Sequence, residues 1–201
     1  MSALRIHTDG LVARLPELRA GDRVLLSGAI YTARDAAHKR LFGLLDRGEA
    51  LPFDLKGAAI YYAGPTPGQQ GMVVGACGPT TAGRMDAFAP RLLDLGLGAM
   101  IGKGERSQAV VDAIVRNGAC YFAAVGGAGA LIARCIETAE VIAFDDLGCE
   151  SVKRMTVRDL PLIVAIDSQG NDLYKQGRAE YEVKVIGGNM EKTDVSRKTL
   201  V

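Results

Sequence analysis

Short apolar or β-branched runs alternate along the 201-residue chain with segments whose apolar residues recur at helical spacing. Runs at 23–26, 58–63, 97–101, 119–125, 141–144 and 162–166 read as strands. Segments 35–47, 85–95, 107–117 and 128–135 read as helices between them, with Phe88, Leu92 and Leu95 marking the helical period of the second. This alternation predicts an α/β fold with a mainly parallel or mixed central sheet flanked by helices. Beyond Gly148 the pattern becomes strand, strand and polar turn: 152–157, 162–166, then Asp167-Ser168-Gln169-Gly170-Asn171-Asp172. The C-terminal third is therefore expected to be β-rich. The tail 187–201, polar through Asn189, Glu191, Lys192, Asp194, Arg197 and Lys198, is expected to be mobile or to dock on a partner. A single domain over 1–201 suits the length, since two full domains would be cramped.

Composition narrows the functional classes. Apolar residues at 48%, charged residues at 23% and a net charge of +1 describe a folded globular protein with no basic excess for nucleic acid. The longest apolar runs, 119–125 and 160–166, fall well short of the roughly 20 residues of a membrane-spanning helix. The start, Met-Ser-Ala-Leu-Arg-Ile-His-Thr-Asp, lacks a basic region followed by an apolar stretch, so export is not expected and a cytoplasmic location is. Cys77, Cys120, Cys135 and Cys149 stand far apart, without a Cys-x-x-Cys pair and with only His7 and His38 as imidazoles. They read as reduced, mostly buried thiols, and a metal site built from this chain alone is not expected.

Four segments carry candidate chemistry. The first, 27–38, runs from a strand end through a turn into a helix and sets Arg34 near the helix N-terminus. Free N–H groups and the helix dipole favour an anion there, and a guanidinium beside them adds a bidentate carboxylate clamp. The competing reading is a surface ion pair between Arg34 and Asp35. His38, one turn on, reads as a helix-face residue before it reads as a catalyst. In the second segment, Gly75-Ala76-Cys77-Gly78-Pro79-Thr80-Thr81-Ala82-Gly83-Arg84-Met85-Asp86, either threonine can cap the following helix. Thr80 and Arg84 are spaced so that a hydroxyl and a guanidinium can face one small anion.

The third segment, Ile101-Gly102-Lys103-Gly104, ends a predicted strand, where open α/β sheets place ligands. It is no phosphate loop: Leu97 stands where the first glycine belongs, and Gly104 replaces the hydroxyl residue. The fourth, Val125-Gly126-Gly127-Ala128-Gly129-Ala130-Leu131, looks like a dinucleotide fingerprint but puts Ile132 where a small residue must sit. A nucleotide-binding oxidoreductase is thus the weakest reading.

Taken together, Tyr-Thr-Ala-Arg-Asp-Ala-Ala-His-Lys-Arg (31–40), Tyr-Tyr-Ala-Gly-Pro-Thr-Pro (61–67), Gly-Pro-Thr-Thr-Ala-Gly-Arg-Met-Asp (78–86) and Ile-Gly-Lys-Gly (101–104) resemble one family. It is the β subunit, or C-terminal domain, of class I iron-sulfur fumarases and L(+)-tartrate dehydratases. The likeness runs from about Val24 to Tyr174, with Ala82 standing where a serine is expected. It implies a swivelling β/β/α domain that closes over a 4Fe-4S cluster held by cysteines of a separate α subunit, in an α2β2 hetero-oligomer. It also implies that the cluster's open iron acts as a Lewis acid on the substrate. Carried onto matching positions, Thr80 is the candidate base for the C3 proton. Arg34, Arg84, Lys103 and Thr81 are candidates for binding a dicarboxylate. Proton removal beside a carboxylate builds negative charge, so fixed cations in a water-poor site lower the barrier. A threonine hydroxyl needs activation by a neighbouring cation or a helix end to act as a base. The implied reaction is reversible hydration of fumarate to malate; dehydration of L(+)-tartrate to oxaloacetate is the alternative, and a non-catalytic dicarboxylate-binding module is a third.

Overall fold

The computed structural model describes residues 3–181, 184–186 and 189–191. Seven strands form one sheet: β1 Leu4–His7, β2 Arg23–Thr32, β3 Ala59–Tyr61, β4 Ala99–Gly102, β5 Cys120–Ala123, β6 Ile136–Ala143 and β7 Val152–Ile166. Its order is β1-β2-β3-β4-β5-β7-β6, and β7 pairs additionally with β2. Strands β1 to β5 are mutually parallel, whereas β7 runs antiparallel to β5, β6 and β2. The mixed sheet predicted from the sequence is therefore present, and five of its strands, β2-β3-β4-β5-β7, close into a ring.

Period-two burial explains the layering. In β3 Tyr61 faces the inside of the ring, while the flanking Ile60 and Tyr62 face outward. Likewise Ile101 and Phe122 point inward, and their neighbours Met100 and Tyr121 outward. The inner cluster joins these to Leu26, Ile30, Met155 and Val164, so side chains fill the ring interior. The outer cluster lies beneath three helices, α2 Asp35–Asp46, α3 Ala89–Asp94 and α4 Gln108–Asn117. They cover it with Ala37 and Leu41, with Leu92 and Leu93, and with Val110 and Ile114. Helix α4 stops at Gly118, whose left-handed φ of 61° closes the C-terminus.

Closure depends on a bend in β7. The sequence predicts two strands, 152–157 and 162–166; the structure has one strand that turns at Arg158 and Asp159. Asp159 adopts φ 50°, its N–H donates to Ser27 Oγ at 2.9 Å, and its carboxylate pairs with Arg5 at 2.5 Å. A register shift between Leu26 and Gly28 of β2 lies opposite. Such a bulge increases the local twist and lets one long strand pair with β2 and β5 together. Pro161 is tolerated inside this bent strand.

Other expectations shift. The single helix expected over 85–95 is instead a 3-10 turn, Ala82–Met85, followed by α3. Pro90 cannot donate to a carbonyl one turn back, so it fits only the first turn of a helix. Strand β6 begins earlier than the 141–144 run because half of its residues are exposed and its first half carries little apolar signal. The helix expected over 128–135 is cut to α5 Gly129–Ala133. The C-terminal third is not wholly β-rich, since α6 Leu173–Tyr181 follows the polar turn. In the tail, Asn189–Glu191 pairs antiparallel with Lys184–Ile186. Residues 187–188 and 192–201, part of the expected docking tail, lie outside the described residues.

Phe122, 0% exposed inside the ring, serves as a probe of this core. Phe122→Ala is expected to cost about 3–5 kcal/mol in denaturant unfolding. A loss below about 1 kcal/mol would contradict a filled ring.

Candidate functional site

Because β2, β3, β4 and β5 are parallel, their carboxyl ends share one rim, and the segments leaving them converge there. Arg34 follows β2, Gly64 follows β3, Lys103 follows β4, and Gly126-Gly127 follows β5. Backbone hydrogen bonds lace these segments together. The Ala33 N–H donates to Tyr61 O at 3.2 Å, Tyr62 to Ile101 O at 2.8 Å, and Ala124 to Gly102 O at 2.8 Å. The threonine-bearing segment is stitched across them. Thr80 N–H donates to Tyr62 O at 2.6 Å, Lys103 N–H to Thr80 O at 3.3 Å, and Ala82 N–H to Lys103 O at 2.8 Å. Gly102 makes this crossing possible, because a Cβ there would come within 3.1 Å of Ala82 Cβ and 3.0 Å of Tyr62 Cδ2.

All five candidate residues lie on this rim. Arg34 occupies the N-cap position of α2 in extended geometry. Its side chain lies across Gly64, where an added Cβ would stand 3.1 Å from Nη1. Arg34 pairs with Glu150 at 3.5 Å, not with Asp35 as the competing reading held. Glu150 also accepts the Ala36 N–H at 3.4 Å, so the carboxylate expected at a helix N-terminus comes from a distant residue. Asp35 instead faces Arg84 at 3.8 Å, an exposed pair that leaves the guanidinium available to a second anion. Arg34 Nε is buried with no partner among the described side chains and backbone, so that guanidinium keeps unused donor capacity.

Thr80 is half-buried, whereas Thr81 and Lys103 are exposed. Thr81 bridges Lys103 through the backbone and makes no side-chain cap, so the capping expected of it is absent. The Lys103 side chain extends toward Gly126, where an added Cβ would lie 3.6 Å from Cδ. The glycine run 126–129 thus serves close approach: Gly129 O accepts the Cys77 N–H at 3.0 Å, which seats the Gly-Pro-Thr-Thr segment. The rim therefore gathers three cations and two hydroxyls, an arrangement suited to a small polyanion.

Sequence reasoning read His38 as a helix-face residue and missed the residues it packs with beneath the rim. His38 is wholly buried, with Nδ1 2.8 Å from Arg34 O. A carbonyl only accepts, so Nδ1 carries the proton. Burial, aided by the Arg106 charge, lowers the His38 pKa to about 4 against the opposing effects of the Arg34 carbonyl and Asp35. Arg106, with no exposed side-chain surface, bonds Asp86 Oδ1 at 2.6 Å, and Asp86 Oδ2 accepts the Ser107 N–H at 2.6 Å. Nothing in the spacing of Tyr62, Asp86 and Arg106 singles them out, because they meet only in the folded chain.

Cys77 and Cys120 are buried core thiols, both pushed up to about 12, chiefly by burial, whereas Cys135 is partly buried and Cys149 is exposed. Among the described residues no group of three or more His, Cys, Asp or Glu side chains is arranged to hold a metal ion.

Fold and rim together define an α/β protein with three cationic side chains gathered at the carboxyl end of its parallel strands. Residues 2–177 match the family model described as Fumarase C-terminus, and the chain belongs to that family. It is 38% identical over 190 residues to the class I, aerobic fumarate hydratase of Salmonella typhimurium, covering 90% of this chain and 33% of that protein. Identity to fumarate hydratase 2 of Leishmania major is 39% over 176 residues, 86% of this chain and 31% of the relative. Against the Methanocaldococcus jannaschii protein named "Putative L(+)-tartrate dehydratase subunit beta" it is 39% over 166 residues, covering 80% of this chain and 85% of the relative. The chain thus spans about a third of the two fumarate hydratases and most of the β subunit.

The low pKa of His38 has a consequence for stability. The unfolded imidazole takes up its proton near pH 6.5, whereas the folded one resists until about pH 4. Stability from this group is complete above pH 6.5 and declines as the pH falls toward 4, by on the order of 3 kcal/mol. Urea unfolding across this range should show a steeper acid loss for the parent than for His38→Gln; parallel curves would refute the assignment.

Proposed function

We propose that this chain is the β subunit of a two-chain hydro-lyase that hydrates fumarate to malate reversibly, a single catalytic domain whose 4Fe-4S cluster is carried by an α subunit. The supporting observation is the convergence of Arg34, Thr80, Arg84 and Lys103 at one rim, in a chain whose own thiols are ill placed for a cluster. The tartrate dehydratase relative, named as a subunit beta, supports reading this chain together with a separate partner. We place it in the cytoplasm as part of an α2β2 assembly.

In this reading Arg34 and Arg84 grip the substrate carboxylates, with Thr81 adding a hydroxyl at the edge. Lys103 stabilises charge that develops as the C3 proton leaves, and Thr80, first deprotonated to its alkoxide, receives that proton in the dehydration direction and becomes the hydroxyl. Glu150 and Asp35 hold the two guanidinium groups in reach of the site without neutralising every donor. Ala82 offers no hydroxyl to assist Thr80, and its buried methyl packs the crossing over Gly102. Dehydration of L(+)-tartrate to oxaloacetate uses the same grip on two carboxylates and is the alternative, supported by the tartrate dehydratase relative.

The test is reconstitution with the cognate α subunit under anaerobic conditions, assayed with fumarate, malate and tartrate. The parent complex should turn over one of them. Arg84→Ala should lower kcat/KM by about 10²- to 10³-fold while leaving the urea midpoint of the chain unchanged. A parent complex inactive on all three, or an Arg84→Ala complex within about threefold of the parent, would overturn this assignment.

A further inference from the structure

Beneath the rim, three buried polar atoms make no hydrogen bond of acceptable geometry among the described residues: His38 Nε2, Tyr62 Oη and Arg106 Nη2, although Arg106 stands close enough to Tyr62 to oppose the burial that raises the phenol's pKa. His38 and Tyr62 are 0% exposed and Arg106 is 5% exposed. They occupy one neighbourhood. The His38 and Tyr62 rings meet edge-on with centroids 5.6 Å apart, and Arg106 Cζ lies 5.4 Å from the Tyr62 centroid and 5.0 Å from that of Tyr121. Leaving such groups unpaired is costly, because each keeps the full penalty of losing its water.

The chemistry of the three atoms selects the ligand. Arg106 Nη2 can only donate, His38 Nε2 can only accept because Nδ1 carries the proton, and the Tyr62 hydroxyl can do either. A chloride or other small anion would suit the guanidinium and the phenol but would face the His38 lone pair. A metal cation would suit the imidazole but face Arg106. A water molecule accepts from Arg106 and Tyr62 and donates to His38, the roughly three bonds typical of an internal water.

We propose that His38 Nε2, Tyr62 Oη and Arg106 Nη2 together hold one internal water, and that this hydrated cluster positions the segments bearing Arg34, Thr80, Arg84 and Lys103. Each holder is one step from a rim residue. His38 Nδ1–H donates to Arg34 O at 2.8 Å, Tyr62 O accepts the Thr80 N–H at 2.6 Å, and Arg106 bonds Asp86, which follows the Arg84 turn. Arg106 itself follows Lys103 by three residues. None of the three touches the exposed face of the rim, so they are positioning residues. The positioning half rests on the function proposed above; the water site does not.

The water half is decided by a high-resolution crystal structure of the chain. One solvent peak within hydrogen-bond distance of all three atoms is expected. Direct pairing among the three side chains, or a gap without density, would overturn it. Imidazole nitrogen NMR supplies a second readout, since His7 and His38 are the only histidines. His38 should show the Nδ1–H tautomer with Nε2 shifted as a hydrogen-bond acceptor; a free Nε2 lone pair counts against the water.

For the positioning half, Tyr62→Phe in the reconstituted complex should lower kcat about tenfold with KM within about twofold, the loss expected when reacting groups are displaced without losing substrate contacts. Unchanged kcat would refute the positioning role even if the solvent peak is present. An inactive parent complex would refute the function proposed above and leave the water site to be judged by density and NMR.

Discussion

The double pairing of β7 is the constraint from which the rest of the molecule follows. A single strand, Val152–Ile166, hydrogen-bonds to β2 along most of its length and to β5 near its end, so the sheet has to close. Closure buries one continuous apolar interior and turns the opposite faces of β3, β4 and β5 toward the helices. It also brings the carboxyl ends of four parallel strands to a common rim, where loops rather than regular elements carry the candidate residues. The bend at Asp159, held by Ser27 and Arg5, is thus a remote condition for the geometry of Arg34 and Lys103.

At the rim, local electrostatics and local packing make opposite demands. Helix α2 begins with Arg34, a cation at the positive end of a dipole, and the fold offsets this by bringing Glu150 from a segment more than a hundred residues away. Arg84 is similarly steadied by Asp35. The Arg84–Asp35 pair is exposed and the Arg34–Glu150 pair partly buried; the value of both lies in orientation, since each fixes a guanidinium while leaving donors for an incoming carboxylate. Below, Arg106 and Asp86 form the one ion pair among the described residues with no exposed guanidinium surface, which ties the Lys103 and Arg84 segments into a rigid base.

Much of the rim was legible in the sequence. Arg34, Thr80, Arg84 and Lys103 sit in glycine- and proline-punctuated turns after apolar runs, where backbone geometry rather than packing sets the residue type. The long elements α2 and α4 carry clear helical periods and were anticipated nearly to their ends. What the sequence concealed depends on distant partners. Strand β2 extends to Thr32 because Tyr31 and Thr32 pair with β3 and β7, and β7 reads as two strands because the bend at Asp159 interrupts its pattern. His38, Tyr62 and Arg106 look like an ordinary helix face, a strand residue and a loop cation until the fold buries them together. The Arg34–Glu150 pair was equally invisible, since no spacing rule joins residues so far apart.

The most direct test of this account is a crystal structure of the chain reconstituted with its cluster-bearing partner and soaked with malate. The account predicts malate carboxylates within hydrogen-bond distance of the Arg34 and Arg84 guanidinium groups, with Lys103 Nζ and the Thr80 hydroxyl directed at the substrate carbons. Malate bound away from the carboxyl ends of β2, β3 and β4, or gripped wholly by partner residues, would contradict it.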